Sequence, residues 1–233
     1  MSTGDPADRA RPWHDEKLRG VIAACVTLGF AVGVYGISFG VASIGSGATI
    51  AQTCVISLLV FTGASQFSAV GVLADGGTPL AAFGGAAVLA ARNGVYGFAM
   101  ASRLDGGLAT RMLAAQWTID ETTAMAAAQD DRRHGQWAFW ITGASVYVFW
   151  NAGTLIGALI GSAIDPETFG LDAAFPAAFV AMLWPLLRER RHLRAAAVGA
   201  LVCLVLTPFT PVGVPILCAT AGIAMGLRED DDR

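Results

Sequence analysis

Charge is what this chain has least of. Of its 233 residues only 14% are Asp, Glu, Lys or Arg, while 55% are hydrophobic. A soluble domain carries about 25% charged residues. The deficit, together with long apolar runs, excludes an ordinary soluble core and indicates an integral membrane protein. Cysteine is scarce too. Cys25, Cys54, Cys203 and Cys218 all lie in apolar segments, and none belongs to a C-x-x-C pair. That argues against a disulfide framework or a metal cluster. His14, His134 and His192 all sit in polar connectors. No metal site or cofactor is expected, and no histidine lies inside an apolar run to serve as a general base. There is no basic stripe of the kind that binds nucleic acid. The first 19 residues are polar and lack the short apolar core of a cleavable signal, so the first apolar segment is expected to be an uncleaved anchor.

What the chain does have is apolar runs of membrane length. A hydrocarbon core about 30 Å thick needs about 20 apolar residues per helical span. By that rule the spans are Gly20–Ser43, Ala48–Ala74, Pro79–Ser102, Trp137–Ile164, Leu171–Leu187, Leu193–Thr207 and Val212–Leu227, with Leu108–Ala128 ambiguous. The expected fold is all-α, a polytopic membrane helical bundle of about seven membrane segments that includes one broken helix. Residues 1–19 read as a cytoplasmic tail, 20–227 as a single integral membrane domain, and 228–233 as a second cytoplasmic tail.

Lys and Arg orient the spans. Arg9, Arg11, Lys17 and Arg19, then Arg132 and Arg133, then Arg188, Arg190, Arg191 and Arg194 should be cytoplasmic. The connectors near 44–47, 162–170 and 208–211 contain neither residue and should face outward. The chain thus begins inside and is inside again at Trp137. Three full spans between would break that parity. Either Leu108–Ala128 also crosses, polar on one face, or Ala48–Ala74 is re-entrant; the crossing is the favoured expectation. Gly29, Gly33, Gly36 and Gly40 share one helix face, as do Gly153, Gly157 and Gly161. Such faces let backbones approach closely and are read as packing seams.

Three polar runs interrupt the apolar background. The first is Phe61-Thr62-Gly63-Ala64-Ser65-Gln66-Phe67, in the middle of Ala48–Ala74. Lipid cannot satisfy freed backbone groups, so a break at membrane depth must be buried in protein or line a wet cavity. If the helix ends at Gly63–Gln66, the half-helix that follows presents free N–H groups suited to a carboxylate. The half-helix before it presents free carbonyls suited to an ammonium. Ser65 also raises an intramembrane nucleophile, but such chemistry needs a base within hydrogen-bond reach, so no enzyme is expected. The second run contains Arg92, Asn93 and Tyr96. Arg92 and Tyr96 are four residues apart and share a helix face. A guanidinium inside a membrane needs a carboxylate, carbonyls or a ligand. It either binds a substrate carboxylate, pairs with Asp120 or Glu121, or anchors at the interface. The third run is Thr118-Ile119-Asp120-Glu121-Thr122-Thr123. Its carboxylates either neutralise Arg92, meet a substrate ammonium or carry a proton, or they cap an amphipathic surface helix. Candidate substrate-binding or translocation residues are therefore Gly63, Ser65, Gln66, Arg92, Asn93, Tyr96, Asp120 and Glu121.

These runs, with Gly170-Leu-Asp-Ala-Ala-Phe-Pro176, resemble the AzlC family, the large subunit of bacterial branched-chain amino acid exporters. They occur in the family's order and cover most of residues 20–190. The family's Arg-x-x-x-Tyr-Gly core is kept at Arg92, Tyr96 and Gly97, whereas its flanking asparagine and histidine positions are not. The resemblance implies a multi-pass protein of the bacterial cytoplasmic (inner) membrane, and the basic residues of the tail place its N-terminus in the cytoplasm. It also implies export of leucine, isoleucine, valine or a similar apolar amino acid, and a partner, a small AzlD-type membrane subunit. The alternatives are a non-transporting accessory subunit and an exporter of another small zwitterion.

Overall fold

A computed structural model describes residues 15–163, 180, 186–210 and 214–219. Among the described residues every regular element is helical: α1 (Glu16–Gly45), α2 (Ile50–Leu59), α3 (Gly63–Ala74), α4 (Pro79–Ala101), α5 (Leu108–Trp117), α6 (Asp120–Ala127), α7 (Arg132–Ala163), a 3-10 turn at Leu186–Arg188, α8 (Arg190–Leu206) and α9 (Val214–Ala219). The segment read at Leu171–Leu187 and the motif at 170–176 lie largely outside the described residues.

The frame is α1 packed along α7. These helices have 30 and 32 residues, about 45 Å each at 1.5 Å per residue, and both are long and apolar enough to cross a membrane. Asp15 starts α1 by accepting the Leu18 N–H at 3.1 Å, which satisfies one of the orphan donors of a helix start. Both glycine stripes face the same joint. A Cβ on Gly33 would sit 2.6 Å from the Phe149 Cβ, and one on Gly36 would sit 2.6 Å from the Trp150 carbonyl oxygen. On the other side, side chains at Gly153 and Gly157 would run into the Gly33 and Ile37 carbonyls. The backbones are too close for any residue but glycine there.

The ends of the helices can be ordered along this frame. The starts of α1 and α7 lie together, because Asp15 meets Arg133 at 3.6 Å and His134 at 3.2 Å. The end of α4 lies there too. Arg132 and Gln136 donate to the Arg103 carbonyl at 3.2 and 3.0 Å, and Met100 shares a hydrophobic cluster with Phe139. Since α4 has 23 residues, about 34 Å, its start lies at the opposite end. The short connector of residues 75–78 joins α3 to that start, so α3 runs outward to the same opposite end. Helix α2 enters from there. Ser43 bonds Thr53 at 2.7 Å, Ser57 donates to Thr154 at 3.1 Å, and the Tyr147 hydroxyl donates to the Leu58 carbonyl at 3.2 Å. Thus α2 descends antiparallel to α7 as far as its middle, and α3 turns back. The α5–α6 pair mirrors it from the other end. Trp117 packs on Gly143, Trp140 and Tyr147, and α6 returns to set the Ala126 carbonyl 3.4 Å from Arg103 Nη1.

Of the two expected alternatives this arrangement matches the re-entrant one and corrects the favoured crossing. Ala48–Ala74 doubles back around its break, and Leu108–Ala128 is not a polar-faced crossing but a second broken segment that also doubles back. Half-helices of 8–12 residues reach only about 12–18 Å. With both segments doubled back, α1 and α4 run in opposite directions between the two ends of the bundle and return the chain to the end where α7 begins, the arrangement that the parity of the basic residues requires.

Candidate functional site

The tips of the two hairpins meet in the middle of the bundle. The first break is narrower and earlier than the sequence implies. It comprises Val60-Phe61-Thr62, with Thr62 extended at φ −151°. Gly63-Ala64-Ser65-Gln66 form the first turn of α3 rather than the break. Gln66 explains why a helix can stop there. Its side chain is 1% exposed, and its amide donates to the Val60 carbonyl at 2.6 Å and the Ile56 carbonyl at 3.4 Å. Its oxygen accepts the Trp150 indole N–H at 3.0 Å. Gln116 donates to the Leu59 carbonyl at 2.9 Å. The carbonyl end of α2, which the sequence offers to an ammonium, is therefore largely engaged by side chains of this chain. The second break, Thr118-Ile119, is held by threonines. Thr118 donates to the Ala114 carbonyl and Thr122 to the Trp117 carbonyl, both at 2.7 Å, while Thr122 accepts the Ile119 N–H at 3.0 Å.

Between the tips is a cavity of about 740 Å³. One wall is the start of α3, through Thr62, Gly63 and Ala64; the opposite wall is the start of α6, through Ile119, Asp120 and Glu121. Arg92 and Tyr96 on α4 complete the polar side. Leu28, Val32, Tyr35, Phe61, Phe67, Val146 and Trp150 make the rest apolar and aromatic.

The two helix starts differ electrostatically. The first turn of α3 has no acidic residue and no side-chain cap. The N–H groups of such a turn have no intrahelical partner and carry the positive end of the helix dipole. The first turn of α6 contains Asp120 and Glu121. Arg92 Nη2 lies 2.6 Å from Asp120 Oδ2, whereas Glu121 forms no ion pair among the described residues. Arg92 and Thr123, which both line the cavity, each keep a buried polar atom, Nε and Oγ1, without a hydrogen-bond partner. Nothing in this constellation resembles a metal centre: among the described residues no three His, Cys, Asp or Glu side chains are grouped to hold an ion.

Of the residues nominated from sequence, Gly63, Arg92, Tyr96, Asp120 and Glu121 come together around the cavity. Ser65 is buried behind them, its hydroxyl 3.5 Å from that of Thr62. Gln66 is also behind the wall, bonded as described. Asn93 is half-buried on α4 and does not line the cavity. Trp150, which was not among the nominated residues, also lines the cavity and is 5% exposed, packed against Phe39 and Phe67. Its lone polar neighbour Asn151 donates within its own helix, to the Tyr147 carbonyl at 2.7 Å. The signal for Trp150 in the sequence is its place mid-way along the apolar run Trp137–Ile164.

A family model described as AzlC protein matches residues 27–164, more than half of the chain. "Branched-chain amino acid transport protein AzlC" from Bacillus subtilis (strain 168) is 26% identical over 219 residues, which cover 90% of this chain and 82% of that protein. No solved structure matches.

Proposed function

We propose, for a chain that belongs to the AzlC family, that it is a membrane transport protein carrying an apolar amino acid through the cavity between its two hairpin tips. The observation that carries this reading is the polarity of that cavity. An uncapped helix start forms one wall, two carboxyls form the other, and aromatic side chains lie between. An amino acid backbone is a zwitterion with the same polarity. Its carboxylate fits the free N–H groups of Gly63 and Ala64, supplemented by the Arg92 Nε–H. Its ammonium fits Glu121, with Asp120 held in place by Arg92. An aliphatic side chain fits against Phe61, Ile119 and Val146. Ser65 contributes through its backbone, and Asn93 stands behind Arg92 on α4.

The relative's name makes a branched-chain amino acid the first substrate to test. We place the protein in the bacterial cytoplasmic membrane with the starts of α1 and α7 inside, following the basic residues there. Export is the direction the family resemblance implies, with a small AzlD-type membrane subunit as partner. The outer face of α4 supports an apolar neighbour, lipid or protein. Leu80, Phe83, Val95 and Phe98 on it are 79%, 70%, 67% and 85% exposed.

The test is an export assay. Cells expressing the chain with and without a small AzlD-type subunit are loaded with a leucine- or valine-containing dipeptide, and intracellular amino acid is followed. Expression should lower it, and Arg92→Ala and Glu121→Gln should each abolish that effect at equal protein level. Parental export by both variants would sink the site assignment. Uptake into vesicles by this chain alone would exclude a purely accessory role.

A further inference from the structure

We infer that Gln66 and Trp150 act together as a positioning brace that makes the first hairpin tip selective for an anion. This rests on the carboxylate reading above. A broken helix offers two opposite ends to a cavity, carbonyls from the half before and N–H groups from the half after. Left alone, the carbonyls of Val60 and Ile56, behind the wall made by Phe61 and Thr62, would set a negative potential against the positive start of α3. Gln66 removes that opposition. Its two N–H bonds are taken by the Val60 and Ile56 carbonyls, at 2.6 and 3.4 Å. A primary amide can flip, which would turn its oxygen toward those carbonyls. The Trp150 indole N–H, 3.0 Å from Gln66 Oε1, fixes the orientation, because an indole only donates.

Trp150 is itself held. It stacks on Phe39 with centroids 6.0 Å apart and meets the edge of Phe67 at 6.3 Å. A Cβ added to Gly63 would stand 3.0 Å from its ring. The brace therefore ties the first residue of α3 to α7 while closing the carbonyl end of α2. Gln66 lies behind the wall and touches no ligand in this arrangement; it acts through the Val60 carbonyl and the placement of Gly63.

The test compares leucine with its decarboxylated counterpart, 3-methylbutan-1-amine, in equilibrium binding to the purified full chain. The parent should prefer leucine. Gln66→Met keeps the shape and loses both donors. Trp150→Phe keeps the ring and loses the indole donor. Losing an anion-orienting hydrogen-bond network should weaken leucine binding about tenfold or more. Amine binding should hold or tighten as the carbonyls become free. The leucine-to-amine preference thus collapses, which a general loss of packing would not produce. If the parent itself does not prefer leucine, the carboxylate reading fails. If the parent prefers leucine and both variants keep that ratio, the brace fails. If neither variant folds, the indole N–H of Trp150 is followed in the parent by nitrogen-15 tryptophan NMR. Slow exchange that persists at saturating leucine fits the brace. Rapid exchange on binding means that Gln66 releases Trp150 to touch the ligand, and overturns it.

Discussion

Removing both partners of the Arg92–Asp120 pair should cost less than the sum of removing each alone. Arg92→Gln leaves Asp120 and Glu121 adjacent in the first turn of α6 with no facing cation. Asp120→Asn leaves the Arg92 guanidinium without the carboxylate that pairs with it. Two unit charges about 4 Å apart attract by about 4 kcal/mol at an effective dielectric near 20. The side chains are 36% and 37% exposed, so water in the cavity moves the value toward the roughly 1 kcal/mol of solvent-facing pairs. A coupling of about 2 kcal/mol follows, roughly thirtyfold in an equilibrium constant. The assay is a double-mutant cycle on the two single variants and Arg92→Gln/Asp120→Asn. Unfolding would be followed by helical circular dichroism during titration with a denaturing detergent. Each single variant should be destabilised, and the double variant should recover about 2 kcal/mol relative to their sum. Export should stay lost in the double variant, because a neutral pair neither attracts nor balances a zwitterion. Additive single effects, with coupling under about 0.5 kcal/mol, would refute the view that these residues act as a pair.

Three further outcomes are expected. Gly157→Ala places a methyl group against the Ile37 carbonyl, and overpacking of this kind costs about 1–3 kcal/mol; the yield and melting temperature of the variant should fall, while Gly94→Ala, which meets nothing within 4 Å, should behave as the parent. Tags inserted at Gly76 and Gly106 should be reached from opposite sides of the membrane, Gly76 from outside and Gly106 from the cytoplasm; two crossing segments in place of two hairpins would reverse both. The Asp15 carboxyl is held below its usual range by the Leu18 N–H and then by the charges of His134 and Arg133, so its stabilisation is complete at neutral pH and is lost as pH falls below about 4. The melting-temperature gap between parent and Asp15→Asn should therefore close as pH falls below about 4, and a gap that persists there would contradict this linkage.

Much of this architecture is legible in the residue order. The low charge and apolar runs specify a helical bundle, because only helices satisfy their own backbone groups away from water. Four-residue glycine spacing marks the α1–α7 joint, because helix periodicity puts such residues on one face. Arg92 and Asp120 stand out because a charge in an apolar run needs a partner. These are local properties, carried by composition and by neighbours within a turn. The course of the chain after a break is not local. At Val60-Phe61-Thr62 the backbone groups that α2 leaves free are taken by Gln66, Gln116 and Tyr147, and Gln66 is oriented by Trp150, 84 residues away. Those partners meet only once α7 has packed on α1. Whether each interrupted segment crosses or turns back, and which end of the break a ligand can reach, depends on that assembly.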